Sequence, residues 1–244
     1  MRLAVFSDIH SNLPALEAVL DDIETAGVEE RYVLGDLVGY APWPNEVIER
    51  LRAEEVGAVM GNYDDGTGFD REECGCAYRD PFEKGLGDRS FAWTKHATSA
   101  ENKAWLRGLA PQIRFEADGK RFLLVHGSPR RINEYLFEDK PDATFARIAA
   151  GAEADVIVCG HTHRPYDKTV GNARFINAGS AGKPKDGDPR ACWALIDTAL
   201  GETQFRRVPY DVEAAARTIE ASDLPSEFAD ELRYARGYFA PART

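Results

Sequence analysis

The sequence contains no long hydrophobic run. Its apolar start, residues 3–6, ends after four residues at Ser7 and Asp8. A signal peptide needs an apolar core of about 7–15 residues, and a membrane-spanning helix needs about 20. We therefore expect a cytoplasmic protein with no membrane partner.

Cysteine is scarce, with four residues among 244. Cys159 and Cys192 lie in apolar, strand-like runs, where cysteine behaves as a small hydrophobic residue. Cys74 and Cys76 lie in a polar, glycine-rich stretch without a second Cys or His pair nearby. A structural zinc site therefore has little support there. We expect an exposed pair without a metal.

Positive charge is also in deficit. The chain has 30 basic and 41 acidic residues, which gives a formal net charge of -11. This balance argues against the broad basic surface with which proteins bind duplex nucleic acid. An anionic substrate would have to be attracted locally, for example by metal ions. The expected partner is a small phosphorylated molecule, with a nucleotide as one candidate.

Strand-like and helix-like segments alternate along the chain. Strands are predicted at residues 2–7, 32–34, 56–60, 120–125 and 155–159, and helices from Pro14 to near Gly27, at 45–52 with Asn45 as the cap, and at 143–150. Such alternation predicts parallel strands joined by helical crossovers. Four further strands without helices between them, at 168–170, 174–176, 191–196 and 203–207, predict a largely antiparallel run. The sequence thus predicts an α/β fold with two facing sheets.

We predict one domain over residues 1–244. Residues 61–87 are irregular, rich in Gly and Asp, and precede helical patterns at 90–96 and 99–106. The region from about 66 to 110 is therefore interpreted as a cap or insertion. Residues 211–236 carry two further helical patterns with alternating charges, which is typical of an outer packing layer.

Chemically reactive side chains follow five of the predicted strands. They are Asp8, His10, Asp36, Asn62, Asp64, His126, His161 and His163. Ligands of open α/β sheets collect at the carboxyl ends of strands. A single histidine there would be an ordinary hydrogen-bonded residue, but four of the five histidines in the chain occupy these positions. The pattern predicts a metal site.

Seven of these side chains supply nitrogen or oxygen donors, a mixture that favours manganese or iron, with zinc or nickel as alternatives. Seven donors are too many for one ion, so we predict two divalent cations. Asp36 stands alone on its loop and is the candidate bridge, since one carboxylate can bind two cations. Two such ions lower the pKa of a bound water and hold the attacking and leaving oxygens of a phosphoryl transfer.

Five short motifs carry a resemblance to a known family. They are Asp8-Ile9-His10, Gly35-Asp36-Leu37-Val38-Gly39, Gly61-Asn62-Tyr63-Asp64, His126-Gly127 and Gly160-His161-Thr162-His163. Their order and spacing, from residue 3 to about 197, resemble the calcineurin-like metallophosphoesterases, in particular a small bacterial branch with phosphodiesterases and dinucleoside polyphosphate hydrolases. The resemblance implies a four-layer α-β-β-α sandwich of two facing mixed sheets.

The resemblance also implies residue roles. One metal would bind Asp8, His10, Asp36 and His163, and the other would bind Asp36, Asn62, His126 and His161, with a bridging hydroxide as nucleophile. Asn62, Tyr63 and Asp64 are the candidate catalytic residues. Residues 176–190 resemble a segment that lies near the metals in the small bacterial branch, which makes Asn12, Asn177 and Arg190 candidate substrate contacts. A helix cap, a turn residue and a surface cation are their alternative roles.

Tyr63 departs from the family pattern. Most members have a histidine there, which is thought to donate a proton to the leaving oxygen or to hold the phosphate. Tyrosine, with a pKa near 10, is a poor general acid at neutral pH. We therefore expect substrates with acidic leaving groups, such as diadenosine tetraphosphate or aryl phosphodiesters.

Three alternatives stay open at this point. The residue types do not separate a phosphodiesterase from a phosphomonoesterase. A non-catalytic scaffold, like the retromer subunit that resembles these enzymes, would be marked by lost ligands, and all seven are present here. A zinc peptidase is disfavoured because the sequence has no HExxH motif. The sequence does not predict an oligomeric state.

Overall fold

The computed structural model describes residues 1–78 and 80–237. Within them the strands are β1 (Arg2–Phe6), β2 (Glu30–Val33), β3 (Gly57–Ala58), β4 (Ile113–Ala117), β5 (Lys120–Leu124), β6 (Val156–Cys159), β7 (Tyr166–Val170), β8 (Ala173–Asn177), β9 (Ala191–Asp197) and β10 (Glu202–Val208). The helices are α1 (Leu13–Thr25), α2 (Pro44–Ala53), α3 (Asn62–Gly68), α4 (Pro81–Ala97), α5 (Ala100–Arg107), α6 (Asp142–Ala152), α7 (Val212–Glu220) and α8 (Glu227–Tyr234).

The strands form two mixed sheets of five strands each. The first sheet has the order β10-β9-β1-β2-β3, in which β1 pairs parallel with β2 and antiparallel with β9. The second has the order β4-β5-β6-β8-β7, with β5, β6 and β8 parallel and the two edge strands antiparallel. The parallel strands are β1, β2 and β3 in the first sheet and β5, β6 and β8 in the second. The predicted site residues follow the carboxyl ends of β1, β2, β3, β5 and β6.

Alternating side chains of β1 show how the layers stack. Successive residues of a strand point to opposite faces. Leu3 and Val5 pack against the second sheet in one buried cluster, whereas Phe6 packs against α1 in another. Phe145 of α6 covers the outer face of the second sheet. The order helix, sheet, sheet, helix confirms the predicted four-layer α/β sandwich.

The antiparallel strands do not form a unit of their own, which corrects the predicted second run. β7 and β8 belong to the second sheet, while β9 and β10 extend the first. The chain crosses from the second sheet to the first along residues 178–190, a connection much longer than the turns within the two hairpins. β4 was also not predicted, although Ile113 and Phe115 alternate with charged residues as half-buried strands do.

The region predicted to be irregular is more helical than expected. α3 has two glycines in seven residues and therefore little intrinsic helix propensity, so that tertiary contacts must stabilise it. α4 begins already at Pro81, after Asp80, whose side chain accepts hydrogen bonds from the first turn. The interpretation of this region as a cap stays a prediction.

Asn45 was predicted to cap α2, and this is wrong. The helix begins at Pro44, with Trp43 in the cap position. Asn45 lies inside the helix and uses its side-chain amide to bond the Ala97 carbonyl and the Ser99 amide. It thereby holds α2 to the connection between α4 and α5.

The C-terminal helices α7 and α8 pack on α4 and on the loop after β2. Ile219, Phe228 and Leu232 share a buried cluster with Ala41 and Leu86. The described helices include none that is long and apolar enough to cross a membrane. The predicted single domain extends past the described residues to position 244 and stays a prediction.

Candidate metal centre

The seven predicted ligands converge where β1, β2, β3, β5 and β6 end. They are Asp8, His10, Asp36, Asn62, His126, His161 and His163, and all are at most 3% exposed. Their donor atoms form two neighbouring groups within the part of the chain that the structure describes.

The first group consists of Asp8, His10 and His163. The Nε2 atoms of His10 and His163 lie 3.3 Å apart. Asp8 Oδ1 lies 3.3 Å from His163 Nε2 and 3.9 Å from His10 Nε2. One ion could contact all three atoms.

The second group surrounds His126 Nε2. Asn62 Oδ1 and His161 Nδ1 each lie 3.0 Å from that nitrogen. Asp36 Oδ2 lies 3.4 Å from it. The group therefore combines one carboxylate, one amide and two imidazoles, which are the side chains that the family resemblance assigns to the second metal.

Asp36 lies between the two groups. Its Oδ2 atom is 3.4 Å from His126 Nε2 and 3.7 Å from His10 Nε2. Its other oxygen, Oδ1, accepts a hydrogen bond of 2.8 Å from the Tyr63 amide. The carboxylate is thus held in an orientation that suits a bridge between two cations.

Backbone carbonyls fix the tautomers of three imidazoles. The Nδ1 atoms of His10, His126 and His163 lie 3.1, 2.7 and 2.5 Å from the carbonyl oxygens of Val38, Leu34 and Lys183, respectively. A carbonyl only accepts, so each neutral ring carries its proton on Nδ1 and keeps a lone pair on Nε2. Carbonyl partners of this kind commonly orient metal-binding histidines.

This proton arrangement supplies a test of the metal site. His10 and His163 then face each other at 3.3 Å with two lone pairs, a contact that is repulsive unless a cation lies between them. Burial lowers the pKa of His10 to about 3 and that of His163 well below its usual value, so both rings are neutral. Beside them Asp8 Oδ1 is buried and has no hydrogen-bond partner in the part of the chain that the structure describes. The residues present therefore fit a cation.

The charge of the second group depends on its carboxylate. Burial lowers the pKa of His126, but the Asp36 carboxylate and its hydrogen bond outweigh burial and raise that pKa to about 9. Burial also raises the pKa of Asp8 to about 7. The negative charges of the buried carboxylates Asp8 and Asp36 can thus be neutralised either by bound protons or by bound cations.

Five of the seven ligands have a left-handed backbone conformation. Their φ angles are 54° for Asp8, 50° for His10, 51° for Asp36, 63° for His161 and 59° for His163. Non-glycine residues rarely adopt this region, and each such residue costs of the order of 1–3 kcal/mol. Backbone strain of this kind clusters at functional sites.

Glycine in the second and third motifs is required by a close approach of two loops. A Cβ atom on Gly61 would collide with the backbone nitrogen and the carboxylate of Asp36. A Cβ on Gly35, whose φ is 87°, would collide with the backbone of Gly61. The two loops can therefore bring Asp36 and Asn62 together only if both positions lack a side chain.

The two candidate catalytic residues beside Asn62 are both buried. Tyr63 is 1% exposed, and its ring packs 5.4 Å from that of His10 and 5.7 Å from that of Phe91. Among the described residues its hydroxyl has no partner in good hydrogen-bond geometry, and burial raises its pKa well above 10. Asp64 accepts hydrogen bonds from the amides of Leu37 and Gly61. Catalytic roles for Tyr63 and Asp64 stay predictions.

The three candidate substrate contacts have protein partners. Asn12 is buried, caps α1 and donates to the Gly182 carbonyl at 2.7 Å. Asn177 is buried and donates to the Gly160 carbonyl at 2.7 Å. Arg190 is exposed and pairs with its neighbour Asp188. The structure thus gives each residue a structural role, and substrate contact stays a prediction.

Cys74 and Cys76 are not the exposed pair that we expected. They are joined in a disulfide, and Cys74 is buried. The side-chain amide of Asn62 donates to the Cys74 carbonyl at 3.0 Å and to Cys76 Sγ at 3.3 Å. The pair therefore orients a predicted metal ligand, because the amide nitrogen is held away and Oδ1 faces His126.

Two residues near the ligands were not predicted. Tyr135 packs its ring 4.0 Å from that of His161, and Lys183 supplies the carbonyl that orients His163. Tyr135 belongs to the loop after His126. Phe137 follows two positions later, and this pair of aromatic residues was a signal in the sequence that could have pointed to the loop. Lys183 lies within the segment 176–190 that resembles the small bacterial branch, but a backbone carbonyl leaves no signature in a sequence.

The chain is similar to several known proteins. Residues 1–200 match the calcineurin-like phosphoesterase superfamily domain. An uncharacterized protein of Methanocaldococcus jannaschii is 34% identical over 247 residues, covering 94% of this chain and 96% of that protein. Phosphodiesterase YfcE of Escherichia coli is 28% identical over 207 residues, covering 81% and 88%. The structure of a metallophosphoesterase from Sphaerobacter thermophilus has a TM-score of 0.78 at 28% identity, covering 96% and 99%.

Proposed function

The chain belongs to the calcineurin-like phosphoesterase superfamily, and we propose that it hydrolyses phosphodiester or phosphoanhydride bonds at a site for two divalent cations. The position of Asp36 Oδ2, within 3.7 Å of one imidazole nitrogen from each ligand group, carries this proposal. The similarity to a named phosphodiesterase supports diesters as substrates.

Each cation would have four donors from the chain. Asp8, His10 and His163 would hold the first, and Asn62, His126 and His161 would hold the second, with Asp36 shared. When bound, such a pair supplies Lewis-acid activation of water and neutralises phosphate oxygens. The nitrogen and oxygen donors favour manganese or iron, with zinc or nickel as alternatives.

Backbone groups of the chain orient the metal-binding imidazoles. The carbonyls of Leu34, Val38 and Lys183 hold the imidazoles with their lone pairs toward the centre. The burial of all seven ligands excludes bulk water, which strengthens every electrostatic contact with a bound anion. Because the Tyr63 hydroxyl is buried and retains its proton, we propose that substrates with acidic leaving groups, which need no proton donor, are preferred.

The test combines metal analysis with hydrolysis assays. We expect about two transition-metal ions per chain and manganese-stimulated cleavage of bis-p-nitrophenyl phosphate or of a diadenosine polyphosphate. Faster cleavage of p-nitrophenyl phosphate than of either would favour a phosphomonoesterase. Absence of both metal and cleavage would favour the scaffold alternative.

Asp36→Asn tests the bridge directly. An amide is neutral and offers one oxygen, so we expect hydrolysis to fall by orders of magnitude and the metal content to fall below two ions. Asp223→Asn, an exposed aspartate elsewhere, is the matched control and should change neither. Full activity of Asp36→Asn with two bound metals would contradict the assignment.

A further inference from the structure

A cavity of about 290 Å³ lies beside the metal centre. Its wall includes Thr162, which separates two metal ligands in sequence, and Tyr135, whose ring lies 4.0 Å from that of His161. A ligand in this cavity would therefore lie next to any phosphate at the metals. Its volume is near the lower end of the roughly 300–1,000 Å³ typical of small-molecule sites.

Part of the wall comes from segments outside the family match. Phe228 and Glu231 of α8 line the cavity, whereas the match to the family ends at residue 200. Cys76 and Tyr78, in the insertion, form another part of the wall. The shape of this cavity thus depends on α8, which lies beyond the matched residues, as well as on the matched domain itself.

One side of the cavity is aromatic. The rings of Tyr135 and Phe137 are nearly parallel, 5.8 Å apart with an angle of 13° between their planes. Phe137 is only partly buried, and both residues line the cavity. Aromatic faces of this kind bind flat rings by stacking.

Cations also line the cavity. Lys183 pairs with Glu231, and its ammonium lies 4.4 Å from the ring centroid of Tyr40. Lys185 differs, because within residues 1–78 and 80–237 its ammonium has neither an ion pair nor a hydrogen bond. The guanidinium of Arg164 lies near Lys185, bonding its carbonyl at 3.1 Å. The wall also holds two carboxylates, Glu83 and Glu231, so that its three cations, Lys183, Lys185 and Arg164, leave it with a formal charge of about +1 in a strongly acidic protein.

We infer that this cavity binds the nucleoside part of a nucleotide substrate, with the base stacked on Tyr135 and Phe137 and a non-scissile phosphate beside Lys185 and Arg164. The inference rests on the proposed function, since it assumes that the scissile phosphate lies at the metals. A nucleotide combines a flat ring and several anionic oxygens in one small molecule, just as the cavity combines aromatic rings and cations in its wall. Phosphopeptides and phospholipid headgroups without an aromatic ring would leave the aromatic side unused.

Binding of two probes to the manganese-loaded protein, measured by calorimetry, tests this inference. One probe is the α,β-methylene analogue of ADP, and the other is methylenediphosphonate, which has the same phosphorus groups without the nucleoside. We expect Phe137→Ala and Phe137→Leu to weaken the nucleotide analogue about tenfold and to leave methylenediphosphonate unchanged. Phe137→Tyr, which keeps the ring, should bind normally.

Lys185→Gln should weaken both probes. Exposed residues of the same types supply matched controls, Phe69→Ala and Lys120→Gln, which should bind both probes as the unaltered protein does. If neither Phe137→Ala nor Phe137→Leu weakens nucleotide binding selectively, the inference is overturned. Cleavage of bis-p-nitrophenyl phosphate would then still support the phosphoesterase. Selective nucleotide binding without any phosphoester cleavage would instead overturn the proposed function and leave the cavity assignment standing.

Discussion

Removal of the Asp64 carboxylate should destabilise the fold as well as the metal centre. Asp64 is fully buried and joins the loops that carry Asp36 and Asn62. Its oxygens accept hydrogen bonds of 2.9 Å from the Leu37 amide and 2.8 Å from the Gly61 amide. Both amides would be left without an acceptor in Asp64→Ala.

The size of the effect follows from these two amides. A buried donor without a partner costs about 1–3 kcal/mol. We therefore expect Asp64→Ala to lower the free energy of unfolding by about 2–6 kcal/mol, a large share of the roughly 5–15 kcal/mol of a typical domain. Asp64→Asn keeps one accepting oxygen and should lose about half as much.

Urea unfolding followed by circular dichroism, in the presence of a chelator, measures this loss without a contribution from metal binding. Asp65→Ala is the matched control in the same helix. Asp65 pairs with Arg71 at the surface, where solvent screening leaves an ion pair with little effect on stability. Equal stability of Asp64→Ala and Asp65→Ala would refute the reasoning.

Two further substitutions separate structural from catalytic roles near the centre. Tyr63→His should raise the rate on alkyl phosphodiesters relative to matched aryl phosphodiesters, because histidine can donate a proton near neutral pH. An unchanged ratio of the two rates would contradict the leaving-group proposal. Asn12→Ala should lower the free energy of unfolding by about 1–3 kcal/mol through its lost cap and hydrogen bonds, with KM unchanged. A large increase in KM without loss of stability would instead make Asn12 a substrate contact.

The strand ends explain why the ligand set was predictable from the sequence. Parallel strands deliver the residues after their carboxyl ends to one edge, so that His126 and His161 meet although 35 positions separate them. Polar residues after apolar runs are visible in a sequence. The positions of Asp8, Asp36 and His163 were predictable for the same reason, and no distance had to be known.

Contacts made by the backbone, or by residues far apart in the sequence, were not predictable in the same way. Val38 orients His10 through its backbone carbonyl. Every residue has such a carbonyl, so the identity of the side chain at position 38 does not predict this contact. The motif makes Tyr63 a candidate catalytic residue, and nothing in it indicates that packing between His10 and Phe91 buries the tyrosine ring. Sequence reasoning located the ligands but not the direction in which a neighbouring side chain points.

The structure divides the site into a strained, rigid centre and a wall of different origin. Five ligands in left-handed conformations would together cost of the order of 5–15 kcal/mol, which only a fully packed surrounding can offset. Few substitutions are tolerated in such a centre, and its chemistry is therefore tied to the fold of residues 1–200. Phe228, which lies beyond residue 200, and Cys76 instead line the cavity beside this centre. Neither residue supplies a metal ligand or has a left-handed backbone conformation. Substitutions at these two positions can therefore change substrate selection while the hydrolytic centre stays intact.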